Sequence, residues 1–146
     1  MQESELKELI TKILERKTET SKIEFKSAKG GTPEKLYDSL SSFSNTSGGI
    51  IIFGIDEKAG YKVCGVQYPD ELEKKVVDQC KEMEPVVRPL MTVLEKDGKF
   101  FVSAEIPATD ISERPCYYRG KGKSKGSYIR VGDSDEPMTE DRKSVV

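Results

Sequence analysis

The residues best suited to bind a charged partner form a short basic segment near the C-terminus. Four basic residues alternate there with glycine and serine: Arg119, Lys121, Lys123 and Lys125. Lysines on a flexible glycine-rich hairpin can follow a phosphate backbone, and tyrosines beside them can stack on bases or hydrogen-bond phosphates. Three tyrosines flank the segment: Tyr117, Tyr118 and Tyr128. Because a solvated hairpin tip has the same composition, the segment alone leaves both interpretations open.

Asp56 is a second residue whose position could serve chemistry. It is the first charged residue after an apolar run at positions 50–55. A carboxylate at the end of a buried strand can belong to a site, but aspartate also commonly begins turns. The residues that follow, Glu57-Lys58-Ala59-Gly60, are typical of a turn. On chemistry alone the turn is favoured, and the site remains the alternative.

The composition limits the function classes that need to be considered. The 146 residues fit one domain, are 34% charged and 35% hydrophobic, and carry a net charge of −2. The chain is therefore not a polybasic binder, and any nucleic-acid contact needs a local basic patch. Histidine, the commonest general base and zinc ligand, is absent.

The sequence also carries few signs of export or of a membrane. No apolar run is long enough to cross a bilayer, and the N-terminus lacks a basic, apolar export signal. Cys64, Cys80 and Cys116 are odd in number and widely spaced, so they predict neither a disulfide framework nor a zinc site. We therefore expect a cytoplasmic protein without a membrane partner, whose cysteines pack as small apolar residues.

A helix followed by a buried strand organises the middle of the chain. Thr32-Pro33 is typical of a helix start, and Phe43 is the last apolar residue of this helix. Asn45 tolerates the left-handed conformation that often ends helices, and Gly48-Gly49 adopts it without steric cost. Residues 50–55 have no polar face, which predicts an interior strand covered on both sides.

The remaining pattern places helices and strands around this centre. Amphipathic spacing predicts a helix over residues 3–16 and another from Pro69 to Pro85. Lys96-Asp97-Gly98 is a strong hairpin signal between strands at 90–95 and 99–106. Further short strands are predicted at residues 22–26 and 127–131. Together these elements predict an α+β fold, with helices packed on a mixed, mostly antiparallel sheet.

Four pieces in this order resemble the Schlafen-type AlbA domain: Ile23-Glu24-Phe25-Lys26; Phe43-Ser44-Asn45-Thr46-Ser47-Gly48-Gly49 with its strand and Gly54-Ile55-Asp56; Arg114-Pro115 with Tyr117; and Tyr128-Ile129-Arg130-Val131-Gly132. The resemblance covers roughly residues 15–135. It implies an AlbA-like α+β fold of the kind described as DNA-binding in bacterial transcriptional regulators and RecG-related helicases. It also implies that residues 1–146 form a single domain, the N-terminal fragment of a longer protein.

The resemblance further implies a carboxylate cluster. A related fold in eukaryotic Schlafen proteins cleaves RNA with three carboxylates, which correspond here to Glu19, Glu24 and Asp56. Glu24 and Asp56 would then hold Mg²⁺ or Mn²⁺, which take oxygen ligands and activate water, and Lys26 would steady a phosphate. The alternative is that Glu24 and Lys26 are ordinary charges on one strand face and that Asp56 is a turn residue.

We therefore predict a DNA-binding module of a bacterial transcriptional regulator. The predicted contacts are Lys26, Lys29, Arg119, Lys121, Lys123, Lys125, Tyr128 and Arg130. One alternative is a divalent-metal-dependent nuclease that uses the carboxylates. Another is a protein-interaction or dimerisation module of a larger ATPase-like protein, with a second copy of the chain as a partner.

Overall fold

A computed structural model describes residues 1–17, 21–33 and 35–141 of the chain. Within these ranges the helices and strands follow one another in this order: α1 Glu3–Arg16, β1 Ile23–Lys26, α2 Tyr37–Ser44, β2 Gly49–Phe53, β3 Ile55–Asp56, β4 Lys62–Val63, α3 Pro69–Cys80, β5 Met83–Glu84, β6 Leu90–Lys96, β7 Lys99–Ile106, β8 Tyr117–Tyr118, α4 Gly122–Lys125, β9 Tyr128–Val131 and β10 Ser134–Pro137. Short 3₁₀ turns follow β3 and β7, at Glu57–Ala59 and Ile111–Glu113.

Four strands form the main sheet, in the order β1-β2-β7-β6. Strand β1 runs parallel to β2, and the other neighbours are antiparallel. The remaining strands of the described ranges form two-stranded pairs, β3 with β4, β5 with β8, and β9 with β10. The predicted α+β fold with a mixed, mostly antiparallel sheet is confirmed. None of the helices in the described ranges combines the length and apolar character that a bilayer crossing requires.

Strand β2 lies inside the sheet and is covered on both faces, as predicted. Side chains alternate along a strand, so Ile51 and Phe53 join the core that includes residues of α2 and α3. Ile52 points the other way and packs with residues of α1, and Ile55 of β3 joins it there. All four side chains are fully buried. The apolar run therefore supplies both halves of the hydrophobic core.

Helix α2 begins later than the sequence predicts. Thr32-Pro33 is not its start, because the helix begins at Tyr37. A side chain of α3 holds the preceding segment instead: Gln79 accepts from the Leu36 N–H at 3.0 Å and donates to the Pro33 carbonyl at 2.8 Å. These tertiary hydrogen bonds satisfy backbone groups that a longer helix would use.

The end of α2 is only partly as predicted. Asn45 does not adopt the left-handed conformation, since its φ is −87°. Gly48 does, with a φ of +78°. A Cβ atom at Gly48 would lie 2.6 Å from the Ile106 carbonyl oxygen, so this turn also requires glycine for close backbone approach. The hairpin between β6 and β7 is confirmed, with positive φ at Asp97 and Gly98.

The cysteines separate into two buried thiols and one partly exposed thiol. Burial raises the pKa of Cys80 to about 12 and that of Cys116 to about 11. The nucleophilic thiolate is therefore scarce at neutral pH in both residues, and access is blocked as well.

We expect a colorimetric thiol reagent to titrate Cys64 alone in the native protein, and all three thiols in denaturant. Rapid native labelling of Cys80 or Cys116 would contradict this packing.

Candidate nucleic-acid interface

The basic segment, residues 119–126, is anchored at both ends by the side chain of Asn45. The Asn45 side-chain nitrogen donates to the Cys116 carbonyl at 3.0 Å and to the Tyr128 carbonyl at 2.9 Å. Its Oδ1 accepts from the Cys116 N–H at 2.7 Å. Only 5% of Asn45 is exposed. One buried amide thus fixes the strand that enters the segment and the strand that leaves it.

Ser41, one turn earlier on α2, repeats this bridge. Its Oγ donates to the Cys116 carbonyl at 2.7 Å and accepts from the Tyr128 N–H at 2.8 Å. Arg114 closes the other side, with its guanidinium donating to the carbonyls of Asn45 and Thr46 at 3.1 and 2.7 Å. We call Ser41, Asn45 and Arg114 the polar hub. Because its polar groups are paired with one another and with backbone, the hub can lie inside the protein.

The basic segment differs from the predicted hairpin tip. Residues 122–125 form the short helix α4, and Gly126 packs beneath it. The Gly126 N–H donates to the Gly122 carbonyl at 2.8 Å, and the Gly126 carbonyl accepts from the Tyr118 N–H at 3.1 Å. A Cβ atom at Gly126 would lie 2.7 Å from the carbonyl oxygens of Gly122 and Tyr118. Only glycine therefore fits at this point of the segment.

Three lysines project from this anchored segment. Lys121, Lys123 and Lys125 are exposed, and none of them forms an ion pair with the residues that the structure describes. Arg119 is also exposed, but its guanidinium donates to the carbonyls of Lys81 and Glu82 at the end of α3, at 2.7 and 3.3 Å. Arg119 thus fastens the segment, whereas the lysines are available to an external anion.

The tyrosines around the segment have different surroundings. Tyr118 stacks on Tyr37 with ring centroids 3.7 Å apart, so one face of the Tyr118 ring is already covered. The Tyr37 hydroxyl donates to Glu82 at 2.5 Å, and burial together with this hydrogen bond raises the pKa of Tyr37. Tyr117 and Tyr128 are partly buried. Tyr128 lies two residues after the segment, with its backbone held by the polar hub.

The predicted contact Arg130 lies inside the protein. Only 4% of its side chain is exposed, and its Nη1 lies 2.7 Å from Glu24 Oε2 and 2.9 Å from Asp135 Oδ1. The guanidinium carbon lies 4.7 Å above the centre of the Phe43 ring. Burial opposes the charge, but the two carboxylates outweigh it and raise the pKa of Arg130. A phosphate could not reach this guanidinium without displacing its carboxylates, so Arg130 does not enter the interface proposed below.

Lys26 and Lys29 are exposed to different degrees, and each is near a carboxylate. Lys26 Nζ lies 4.0 Å from Glu24, and 31% of the lysine side chain is exposed. Lys29 Nζ lies 3.1 Å from Asp56 Oδ2, and this hydrogen bond lowers the pKa of Asp56. No hydrogen bond or ion pair in the described part of the chain joins either lysine to the basic segment. Asp56 also precedes the 3₁₀ turn Glu57–Ala59, as expected for a turn residue.

Both described carboxylates of the metal site that the resemblance implies have cationic partners. Glu24 is paired with Arg130, and Asp56 is paired with Lys29. Among the described residues, no group of three potential ligands could hold a metal ion. Glu19, the third predicted carboxylate, lies outside the described residues. A metal at Glu24 or Asp56 would have to replace a cation that is already bound to each.

Sequence reasoning missed Asn45 and Asp135 as site-building residues. The signal for Asn45 was present, because an asparagine at the end of an apolar helix face is a polar group that needs partners. Asp135 gave no comparable signal, since it lies in a charged stretch near the C-terminus and accepts from Ser39 and Ser42 on α2. Its role depends on tertiary contacts alone.

The fold and the polar hub define an AlbA-like α+β domain. The family model described as Schlafen, AlbA_2 matches residues 19–139, so the chain belongs to this family. Hydrogen bonds connect the motif pieces to one another: Glu24 with Arg130, and Asn45 with Arg114 and Tyr128. No curated protein matches the sequence.

Two solved structures show the same architecture. One is the solution NMR structure of the N-terminal domain of a protein from Nitrosomonas europaea that is described as related to the ATP-dependent DNA helicase RecG. It has a TM-score of 0.66 and 25% identity, over 90% of this chain and 92% of that chain. The other is the DIP2311 protein from Corynebacterium diphtheriae, with a TM-score of 0.57 and 19% identity over 92% of this chain and 26% of that chain. The family and the first structure fit a nucleic-acid-related domain.

Proposed function

We propose that this domain binds DNA, as a module of a transcriptional regulator, through the lysines of the basic segment. The observation that carries the proposal is the combination of exposure and anchoring. Lys121, Lys123 and Lys125 are exposed and have no ion-pair partner in the described ranges, while buried groups hold the backbone beneath them. Because the backbone is already anchored, the segment loses less conformational entropy when it binds phosphates.

The charge distribution agrees with such a local interface. The net charge of −2 opposes general attraction to DNA. Contacts with phosphates therefore need a patch whose cations are not neutralised by neighbouring carboxylates. Lys26 and Lys29 each have a carboxylate neighbour, so we place them outside the main contact. Arg119 and Tyr128 border the patch. Arg119 attaches the segment to the carbonyls of Lys81 and Glu82, and Tyr128 lies two residues after the end of the segment.

The family, and the described relation of the first solved structure to a DNA helicase, support DNA as the partner. Phosphate contacts by lysine position a protein on DNA but carry no sequence information. We therefore expect the basic segment to supply affinity without base preference. Any sequence selection would come from other residues or from other domains of a longer protein.

The test replaces Lys121, Lys123 and Lys125 with glutamine and measures binding to labelled duplex DNA over a range of salt concentrations. We expect weaker binding to every sequence, because these lysines would meet phosphates and not bases. The slope of log affinity against log salt should flatten by up to about 0.9 for each phosphate that is no longer neutralised. Fluorescence anisotropy at low and moderate salt measures both effects.

The matched control changes three exposed lysines elsewhere: Lys7, Lys62 and Lys74. Their replacement with glutamine alters net charge by the same amount, and none of them forms an ion pair among the described residues. The control should retain most of the parent's salt slope. Equal decreases in both variants would show a general charge effect. A parent protein that does not bind in low salt, or a segment variant that binds as well as the parent, would refute the proposal.

A further inference from the structure

Two carboxylates converge on a single nitrogen atom of Arg130. Nη1 donates to Glu24 Oε2 at 2.7 Å and to Asp135 Oδ1 at 2.9 Å. The two acids come from opposite ends of the chain, Glu24 from β1 and Asp135 from β10. The arginine side chain is 4% exposed, and each acid side chain is 18% exposed. A positive charge is thus held between two negative charges with little access to water.

The other atoms of this arginine are fixed as well. Nε donates to the Ser21 carbonyl at 3.1 Å, and Nη2 lies 3.4 Å from the Ile23 carbonyl. The guanidinium covers the ring of Phe43. On the acid side, Asp135 Oδ2 accepts from Ser39 at 2.8 Å, and Oδ1 accepts from Ser42. The cluster is therefore an ordered arrangement of oxygen acceptors around the Arg130 guanidinium, with Lys26 Nζ farther away, 4.0 Å from Glu24 Oε1.

The converging carboxylate oxygens resemble the ligands of a divalent-cation site. In this domain the guanidinium of Arg130 occupies the position that the cation would take. Mg²⁺ and Mn²⁺ bind where carboxylate oxygens converge, and here they converge on Nη1. The acid that meets Glu24 is Asp135, whereas Asp56 is bonded to Lys29. We propose that Arg130 is the resident cation of the Glu24–Asp135 pair, and that it excludes divalent metal ions from Glu24. In this domain the cluster then acts as a clamp that ties the β9–β10 hairpin to β1.

The clamp makes opposite predictions for removing one charge and removing all three. Loss of the arginine alone leaves two nearly buried carboxylates facing each other, which is strongly destabilising. The partly exposed Lys26, 4.0 Å from Glu24, offsets only part of this cost. Loss of all charges leaves neutral groups that can pack and hydrogen-bond, which often costs little. Loss of the arginine also leaves space between two acids, which a divalent cation can enter.

The test compares Mn²⁺ binding and thermal stability in the parent and in Arg130→Ala. Electron paramagnetic resonance reports bound Mn²⁺, and circular dichroism reports Tm. We expect the parent to bind no Mn²⁺ at this cluster and to keep its Tm when Mn²⁺ is added. Arg130→Ala should lose on the order of 10 °C in Tm. It should bind Mn²⁺ and recover several degrees when Mn²⁺ is present.

Two controls separate the clamp from a general loss of packing. Arg88→Ala removes an exposed arginine and should change neither Tm nor Mn²⁺ binding. The triple variant Glu24→Gln, Arg130→Met, Asp135→Asn should melt within a few degrees of the parent and bind no Mn²⁺.

Three results would overturn the proposal. They are Mn²⁺ binding by the parent that Glu24→Gln abolishes, a triple variant as unstable as Arg130→Ala, and an Arg130→Ala protein that Mn²⁺ neither binds nor stabilises. If Arg130→Ala does not fold without metal, folding upon addition of Mn²⁺ supports the proposal. Continued failure to fold in Mn²⁺ contradicts it.

Discussion

Ile51→Asp is expected to unfold the domain at neutral pH. Ile51 is fully buried in the interior strand β2, between Glu24 of β1 and Ala104 of β7. Its side chain belongs to the core that α2 and α3 cover. An aspartate there would place an unpaired charge in an apolar environment, which costs several kcal/mol. Because the stability of a domain is only about 5–15 kcal/mol, this single change consumes much of it.

The measurement is chemical denaturation followed by circular dichroism, with Leu90→Asp as the matched control. Leu90 lies on the edge strand β6 and is 57% exposed, so the same side chain there meets water. Because Glu105 of β7 lies opposite Leu90, we expect the free energy of unfolding of the control to fall by no more than about 1 kcal/mol. Parent-like stability of Ile51→Asp would mean that β2 is not the interior strand.

The elements predicted correctly are those that short-range patterns specify. The apolar run at 50–55 had no polar face, and only an interior strand accommodates it. Asp97-Gly98 supplies the two positive φ angles that a two-residue hairpin needs. The start of α2 was predicted wrongly because Gln79, far along the chain, holds Pro33 and Leu36 out of the helix. The local sequence at Thr32-Pro33 contains no information about these hydrogen bonds with Gln79.

The candidate site shows the same division between local and distant information. Composition alone identified the basic segment, because lysines that alternate with glycine and serine rarely pack in a core. Composition could not show that α4 forms there. The helix depends on the close approach of Gly126 to the carbonyl oxygens of Gly122 and Tyr118, which exists only in the folded chain. Nor could composition separate Arg130 from the lysines. The fate of that charge depends on Glu24, which lies 106 residues earlier.

The motif residues that carry the family resemblance therefore explain the scaffold better than they explain the interface. Arg114 donates to the Asn45 carbonyl, and the Asn45 side chain accepts from the Cys116 N–H. Arg130 donates to Glu24. All of these groups are buried or partly buried. The lysines proposed to meet DNA lie outside these motif pieces, on the segment that the motifs hold. Variants of the scaffold should therefore change stability first, whereas variants of the contact surface should change DNA affinity alone.

Asn45→Asp is expected to be the most informative scaffold variant, because it keeps the shape of the side chain and removes its donor. The Asn45 amide donates to the carbonyls of Cys116 and Tyr128. A carboxylate would instead place a negative charge against both oxygens in a site that is 5% exposed. We expect a loss of roughly 3 kcal/mol at neutral pH, from unpaired acceptors and a buried charge. DNA affinity should fall as well, because both ends of the basic segment lose the hydrogen bonds that the Asn45 amide donates and keep only the bridge made by Ser41.

The loss should depend on pH in a direction that identifies its cause. Burial and the two carbonyls would raise the folded-state pKa of this aspartate above its unfolded value of about 3.9. The folded state then binds the proton more tightly, so stability is lost as pH rises from the unfolded pKa of about 3.9 to the raised folded pKa, and it returns as pH falls back toward about 3.9. The protonated acid can again donate one hydrogen bond.

Denaturation of Asn45→Asp and its parent at several pH values measures this difference. Gln67→Glu, an amide-to-acid change at an exposed residue, is the control. A destabilisation of Asn45→Asp that does not change with pH would mean that poorer packing, and not the missing donor at the hub, is responsible.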